Sequence, residues 1–244
     1  DDKNILPFPR FLRRFIAKRI INARLEDAKE NYRSIGSKSP LPKLTNNLIK
    51  KLQNELDEET IVTAIMRYTP PFAKDILPTL EKEGVTQLYL FPMYPQYSTT
   101  TTKSSVEDIY ENLAQIDYHP QIYTIKNYYQ EELYLEAVAN QIQKKLDKYS
   151  RYDVIFSAHG LPQRVVDKGD PYQKEIEKTV ELVSQKLSNY NQIHLAYQSK
   201  VGKGKWLEPS LDDKLKDIKN KNVIIYPIAF TIDNSESVFE LKIE

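Results

Sequence analysis

The chain has 244 residues, and its 35 lysines and arginines nearly balance its 34 aspartates and glutamates. A net charge this close to zero argues against nucleic acid as the main partner. The absence of cysteine excludes disulfides, thiolate zinc sites and cysteine-held iron–sulfur clusters within this span. No apolar run approaches the roughly 20 residues needed to span a bilayer.

The first predicted element is a basic amphipathic helix that includes residues 8–20. Its apolar residues recur at helical spacing: Phe8, Phe11, Leu12, Phe15, Ile16 and Ile20. Basic residues lie between and after them: Arg10, Arg13, Arg14, Lys18, Arg19 and Arg24. Two interpretations remain open: a helix packed on a sheet with its basic face in water, or a helix that contacts a membrane surface or an anionic ligand.

Strands and helices are predicted to alternate along the rest of the chain. The predicted strands are 61–68, 87–91, 121–126, the run that includes 154–156, 193–197 and 223–230. The predicted helices are 44–56, 73–83, 106–116, 131–148, 173–187 and 211–218, with a loop at 161–172. Thr45 is a candidate cap for the first of these helices. Ser104 with Glu107, or Ser105 with Asp108, would form a capping box for the third.

This alternation predicts an α/β fold, because strands that are apolar on both faces belong to parallel sheets covered by helices. The strands divide evenly near residue 127, which predicts an N-terminal domain of residues 1–127 and a C-terminal domain of residues 128–244. The few strands in each domain suggest that further elements lie beyond both ends of this chain.

His159 is the leading candidate for chemistry. It follows the apolar run Val154–Phe156 and precedes Gly160, a residue that lets a ligand or another stretch of backbone approach closely. Open α/β sheets place their chemistry at the carboxyl ends of strands. A neutral imidazole there could accept a proton or bind a metal, and the alternative is a surface or satisfied core histidine. His119 and His194 receive that second interpretation.

Carboxylates follow the last predicted strand. Asp233, Glu236 and Glu240 are spaced i, i+3 and i+7, which would place them in one stripe on a helix. The stripe is either a solvated acidic face or a path of hard oxygen ligands along which a divalent metal moves. No HExxH, CxxC or EF-hand pattern occurs, so a tight, closed metal site is not indicated.

Two further stretches could bind an anionic or aromatic ligand. A loop rich in hydroxyls, which includes Tyr97 and Ser98, precedes a helix N-terminus where a carboxylate or phosphate could bind. Arg67 and Tyr68 end a predicted strand and offer a bidentate donor beside an aromatic face. Ordinary turn chemistry and capping explain each stretch equally well.

Taken together and in order, these stretches resemble the ferrochelatase family. The matching segments are FIAKR with YRSIGSKSPL, MRYTPP, LFPMYPQYSTTTT, FSAHGLP with DKGDPY, AYQSKVGKGKWLEP and YPIAFTIDNSESVFEL. The resemblance implies two similar Rossmann-like, doubly wound domains with the active-site cleft between them. It also implies insertion of Fe²⁺ into protoporphyrin IX to form protohaem, with release of two protons.

The resemblance assigns roles residue by residue. The implied catalytic residues are His159 and Glu236, and the implied metal ligands are these two with Glu240 and Asp233. The implied substrate-binding residues are Arg67, Tyr68, Tyr97, Ser98 and Trp206. No permanently bound cofactor is expected, since iron is a substrate. The expected location is the cytoplasm, with peripheral contact at the inner membrane through residues 8–20.

Several positions depart from the family pattern. Asn234 stands where many members have histidine, and Lys103 replaces a frequent glycine. The family's first strand, with its Gly-Gly-Pro turn, would precede Asp1, and its C-terminal segment would follow Glu244. Two alternatives remain: a non-catalytic tetrapyrrole-binding protein on a chelatase fold, and a chelatase for another metal or tetrapyrrole. The sequence does not distinguish protoporphyrin from coproporphyrin.

Overall fold

A computed structural model describes residues 2–6, 8–149, 151–200 and 204–242. The chain forms two compact units, each built from separate stretches of sequence. The first unit comprises Asp1–Pro92, Thr99–Ile125 and Ile232–Glu244, and the second comprises Met93–Ser98 and Lys126–Thr231.

The first unit is mostly helical. Its elements are α1 (Arg10–Ser34), α2 (Leu41–Glu55), α3 (Ala73–Lys82), β1 (Gln87–Leu90), a π-helix (Thr99–Lys103) that continues into α4 (Ser104–Leu113), β2 (Gln121–Thr124) and α9 (Ser235–Lys242). Strands β1 and β2 pair in parallel, with Leu88 opposite Ile122. Its core forms where Leu77 of α3 and Ile109 of α4 pack with Leu88 of β1.

The second unit is an α/β arrangement around a parallel sheet. Its elements are α5 (Glu132–Lys148), β3 (Asp153–His159), α6 (Gln163–Asp167), α7 (Tyr172–Ser184), β4 (Ile193–Gln198), α8 (Leu211–Asp217) and β5 (Val223–Pro227). All three strands run parallel in the order β4-β3-β5, so β3 is central. The predicted loop at 161–172 contains the short helix α6.

Strand β3 is buried along almost its whole length, as its continuous apolar run predicts. Phe156 packs in the main core with Ile142 of α5 and Ile176 of α7, and all three are at most 1% exposed. The parallel sheets and covering helices confirm the predicted α/β fold class.

The predicted strand at 61–68 was wrong, because residues 61–66 have no regular secondary structure. The main-chain N–H of Val62 donates to the side chain of Gln53 at 2.9 Å. The N–H of Met66 donates to the carbonyl of Pro71 at 2.7 Å. These donors bond to a helix side chain and to the carbonyl of Pro71, so the apolar run belongs to no described strand.

The predicted helix caps were also wrong. Thr45 lies inside α2, which begins at Leu41 with a proline in its first turn. Helix α4 begins directly from the π-helix, so neither Ser104 nor Ser105 serves as its N-cap. Asp233 precedes α9, so only Glu236 and Glu240 of the predicted acidic stripe are on that helix.

Helix α1 does not pack as a sheet-covering helix. None of its 25 residues is buried, and Phe11 is 77% exposed. It contacts α9 within the first unit. The first interpretation of its sequence, a helix packed on a sheet, was therefore wrong. Among the described residues no helix is both long and apolar enough to cross a membrane.

The observed units differ from the predicted domains in two segments. The boundary after Ile125 lies near the predicted division at 127/128. However, residues 93–98 belong to the second unit and residues 232–244 to the first. Glu236 is therefore in the first unit and His159 in the second.

Candidate active site

His159 is the last residue of β3 and lies partly exposed at the carboxyl end of the sheet. Gln198, at the end of β4, is its partner across the sheet. The ring of Phe230 meets the imidazole edge-on, with the ring centres 6.3 Å apart. The imidazole is therefore presented where parallel sheets display reactive groups, beside an aromatic surface.

Gly160 allows the backbone after His159 to lie against the neighbouring strand. Its N–H donates to the main-chain carbonyl of Gln198 at 2.8 Å. A Cβ at this position would lie 2.9 Å from that carbonyl oxygen and 3.5 Å from the ring of Trp206. The predicted substrate residue Trp206 is therefore brought to the same end of the sheet as His159.

The loop that carries Tyr97 and Ser98 is held firmly by the second unit. Lys126 lies over the Tyr97 ring, 5.1 Å from its centre. Ser98 is 0% exposed, and its hydroxyl donates to Asp170 at 3.0 Å. Because Ser98 is internal, a ligand can reach its hydroxyl only if the loop moves, and its predicted contact with substrate remains a prediction.

Glu175 supports the same loop from α7. Its carboxylate accepts from the Tyr97 N–H at 2.7 Å and from the Asn127 side chain at 2.8 Å. Burial raises the pKa of Glu175 above its ordinary value, although these two hydrogen bonds oppose the shift. Glu175 could not be identified from the sequence, since its position within a predicted helix carries no sign of a contact with this loop.

In the first unit, Arg67 and Tyr68 belong to a cluster with two carboxylates. Arg67 donates to Asp108 at 3.0 Å, and its Nε lies 3.7 Å from Asp2. The guanidinium also lies over the Tyr68 ring, 5.5 Å from its centre. The sequence predicts that Arg67 binds a carboxylate, and the carboxylates at these distances are the protein's own.

Asp2 is the buried centre of this cluster. It is 4% exposed and accepts hydrogen bonds from the Tyr68 hydroxyl at 2.7 Å and from the Ser104 hydroxyl. Burial raises the pKa of Asp2, but these hydrogen bonds, the Asn4 N–H and the Arg67 charge outweigh it, so the pKa is lowered.

The pKa values of two other members of the cluster, Asp108 and Tyr68, are shifted upward. The pKa of Asp108 is raised by burial despite the neighbouring Arg67. Burial also raises the pKa of the Tyr68 hydroxyl. Tyr68 therefore stays protonated as a donor to Asp2, while the residue as a whole is 61% exposed and can offer an aromatic surface.

The acidic residues of the last segment surround the start of α9. The side-chain oxygen of Asn234 accepts from the N–H groups of Glu236 at 2.8 Å and Ser237 at 3.0 Å, in the manner of an N-cap. The Ser237 hydroxyl donates to Asp233 at 2.8 Å. Glu236 thus sits in the first turn of a capped helix, where the helix dipole favours a negative charge.

The other two histidines have ordinary partners. His119 is exposed and lies 2.9 Å from Asp117. His194 lies 2.9 Å from Asp153, a buried carboxylate that also accepts from Asn191 and Asn220. The contacts of Asp153 tie the start of β3 to the residues that precede β4 and β5, whereas the contact of His119 is local, two residues apart.

The structure thus groups the predicted residues within their own units. His159 and Trp206 lie together in the second unit, where Tyr97 and Ser98 are also found, and Arg67 and Tyr68 share one cluster in the first. Within the described residues no group of three or more His, Cys, Asp or Glu is placed to hold a metal ion. The metal-binding roles of His159, Glu236, Glu240 and Asp233 remain predictions.

Comparison with known proteins identifies the family. A family model described as Ferrochelatase matches residues 1–244. A ferrochelatase from a Nitratiruptor species is 47% identical over 100% of this chain and 80% of its own length. Ferrochelatases from Sulfurimonas denitrificans and Wolinella succinogenes are each 46% identical, over 100% of this chain and 79% of their own lengths.

A solved structure described as SirB from Bacillus subtilis with Fe³⁺ shares the fold. Its TM-score is 0.56 at 12% identity, over 75% of this chain and 68% of that one. At this identity the likeness concerns the fold alone. With the family model and the three relatives, the conclusion is that this chain belongs to the ferrochelatase family, whose reaction is the insertion of ferrous iron into a porphyrin.

Proposed function

We propose that the porphyrin is protoporphyrin IX and that His159 carries the central step of iron insertion. The observation that most directly supports the role of His159 is its placement. Its imidazole ends the central strand of a parallel sheet beside the ring of Phe230, and the ring of Trp206 lies next to Gly160, the following residue. Aromatic surfaces around one polar group suit a flat macrocycle whose reactive nitrogens need a single partner.

The reaction requires a proton acceptor, because two pyrrole protons leave as Fe²⁺ enters. A neutral imidazole at His159 or an ionised carboxylate at Glu236 meets this requirement at neutral pH. The other group would then contact the incoming metal. Both groups are retained in this chain, which favours an enzyme over a tetrapyrrole carrier.

We further propose that Asp233, Glu236 and Glu240 pass iron to the porphyrin. Carboxylate oxygens are hard ligands that bind a divalent first-row metal without trapping it as thiolates would. Asp233 and Glu236 lie around the capped start of α9, and Glu240 follows one turn later. In this proposal iron is a substrate, and no permanently bound cofactor takes part.

The exposed ring of Tyr68 and the ring of Tyr97 are proposed to contact the porphyrin face. Lys126, which lies over the Tyr97 ring, adds a positive charge suited to a propionate. Arg67 is also proposed to face a propionate, although Asp2 and Asp108 already pair with its charge, so its contribution should be smaller than that of Lys126. Ser98 would act from within the loop, by holding Tyr97 in place.

We also propose that α1 contacts an anionic membrane surface. The helix exposes Phe11, Phe15 and Ile21, at 77%, 59% and 59%, next to the basic side chains of Arg14 and Lys18. These apolar and basic side chains are interleaved along the helix rather than separated onto opposite faces, so the proposal rests on their shared exposure and on the attraction of basic residues to an anionic surface. The proposed location is therefore peripheral to a membrane.

An iron-insertion assay tests this function. The protein is incubated anaerobically with Fe²⁺ and protoporphyrin IX, and the absorbance spectrum is followed for the appearance of haem. Parallel reactions use coproporphyrin, and then Co²⁺ and Zn²⁺ in place of iron. Binding of porphyrin without metal insertion would support the carrier alternative. Faster turnover with another metal or tetrapyrrole would reassign the substrate.

A further inference from the structure

The segment between α6 and α7 contains a buried carboxylate with two separate partners. Asp170 is 6% exposed. One of its oxygens accepts from the Tyr172 N–H at 3.1 Å, and the other accepts from the Ser98 hydroxyl at 3.0 Å. The first contact is a local turn at the start of α7. The second joins positions 72 residues apart in sequence.

Tyr172 extends this chain of hydrogen bonds to His159. Its hydroxyl donates to the main-chain carbonyl of His159 at 2.8 Å, and the residue is 6% exposed. The strand end is thus held from two directions, since the next residue, Gly160, donates to Gln198. A continuous path runs from Ser98 through Asp170 and Tyr172 to the backbone of His159.

The same face of α7 also holds the two residues before Ser98. The Tyr97 N–H donates to Glu175, and the side chain of Gln96 donates to Thr179 at 3.0 Å. Gln96 and Thr179 are at most 1% exposed. Three consecutive loop residues are therefore fixed to the region that also fixes His159.

We propose that Asp170 and Tyr172 are positioning residues for iron insertion: they hold the backbone of His159 and the Tyr97–Ser98 loop in one fixed arrangement. The inference rests on the proposed function of His159. A fixed imidazole matters because displacement of a catalytic group by about 1 Å can cost on the order of a hundredfold in rate. Neither residue needs to touch the porphyrin or the iron to have this effect.

Tyr172→Phe is the most direct test, because it removes one hydroxyl and leaves the buried ring. Tyr118→Phe is its matched control. Tyr118 is 8% exposed, and its hydroxyl donates to the carbonyl of Val85 at 2.7 Å, within the first unit. The two variants lose the same type of bond, to a main-chain carbonyl, in equally buried surroundings.

For Tyr172→Phe we expect kcat to fall by about three- to tenfold, with little change in the KM for porphyrin. This is the rate change that corresponds to the free energy of one ordinary hydrogen bond. Tyr118→Phe should lose as much thermal stability as Tyr172→Phe but keep the kcat of the parent. If Tyr172→Phe also keeps the parent kcat within twofold, or if both variants lose activity equally, the positioning role is overturned.

A second measurement separates this inference from the proposed reaction. The imidazole resonances of His159 are followed by NMR as a function of pH in the parent and both variants. We expect altered His159 resonances in Tyr172→Phe and unchanged ones in Tyr118→Phe, whether or not the parent inserts iron. Unchanged resonances in both variants would overturn the inference. A parent without chelatase activity would overturn only the proposed function.

A double-variant comparison tests the role of Asp170. If Asp170 acts on His159 through Tyr172, then combining Asp170→Asn with Tyr172→Phe should lower kcat no more than the worse single variant. Independent roles would instead multiply the two effects. A multiplied loss would overturn the connection between Asp170 and His159, and would leave Tyr172 as the residue that positions His159.

Discussion

The main-chain carbonyl of Gln198 occupies the space that a side chain at position 160 would need. Gly160 donates its N–H to this oxygen at 2.8 Å, and a Cβ would come within 2.9 Å of it. The neighbouring atom belongs to the backbone of a strand, so it cannot rotate away as a flexible side chain would. The glycine after His159 is therefore required by packing between β3 and β4.

Gly160→Ala should lower the free energy of unfolding by about 1–3 kcal/mol, the usual effect of forcing extra volume into a packed region. Iron insertion should fall as well, because the relief of the clash moves the backbone next to His159. Urea unfolding and the haem assay measure these effects. Parent-like stability and activity would mean that the two strands separate at little cost.

His159→Ala should lower the rate of iron insertion by at least about a hundredfold, the low end of what a general base contributes. Porphyrin binding, measured by fluorescence titration, should persist because the aromatic surfaces remain. His119→Ala is the control, since that imidazole is exposed and contacts only Asp117 among its described hydrogen-bond partners. Normal turnover in His159→Ala would remove this residue from the mechanism.

Glu236→Gln should also stop turnover, because it removes a negative charge at the start of α9 while keeping the side chain's size. The fold should be retained, since the Glu236 N–H bond to Asn234 is made by the backbone. Glu136→Gln, an exposed site on α5, serves as the control in the same assay. Unchanged iron insertion would assign Glu236 a structural role.

Asp2→Asn should destabilise the protein by about 1–3 kcal/mol at pH 7, since it disturbs a buried group that accepts several hydrogen bonds. The folded pKa of Asp2 is lowered, so its ionised form stabilises the fold above the unfolded pKa of about 3.9. That contribution is lost as the pH falls through the folded pKa.

The difference in the free energy of unfolding between the parent and Asp2→Asn should therefore be largest at neutral pH and should shrink below about pH 4. Urea unfolding at several pH values measures it. Asp27→Asn, on an exposed position of α1, should match the parent throughout. A gap that stays constant down to pH 3 would show that ionisation of Asp2 does not contribute.

Replacing Arg13, Arg14 and Lys18 with glutamine should weaken binding to anionic vesicles by roughly a hundredfold, at about 1 kcal/mol for each cation near the surface. The difference should diminish in high salt. The control carries the same change at Lys144, Lys145 and Lys148, which are exposed on α5. Equal vesicle binding by both triple variants and the parent would reject α1 as the contact.

The parallel sheets could be predicted because a buried parallel strand leaves a local signal. Val154, Ile155 and Phe156 are consecutive and all 0% exposed, a pattern typical of a strand covered on both faces. The position of His159 followed from the same signal, since the polar residue comes where the apolar run ends.

Contacts between distant residues could not be predicted in this way. Asp2 meets Tyr68 across 66 positions, and no local pattern in either stretch indicates the other. The start of α4 was missed for a local reason: the π-helix at Thr99–Lys103 leads straight into it, so no conventional cap is needed. The run at 61–68 has strand composition, but pairing depends on a neighbour that composition does not specify.

The alternation of the two units along the chain has a consequence for biosynthesis. Residues 232–244 belong to the first unit but emerge from the ribosome only after the whole second unit. During translation the second unit can collapse around β3 while the first still lacks α9. Co-translational folding should therefore leave the first unit without α9 until residues 126–231 of the second unit have been synthesised.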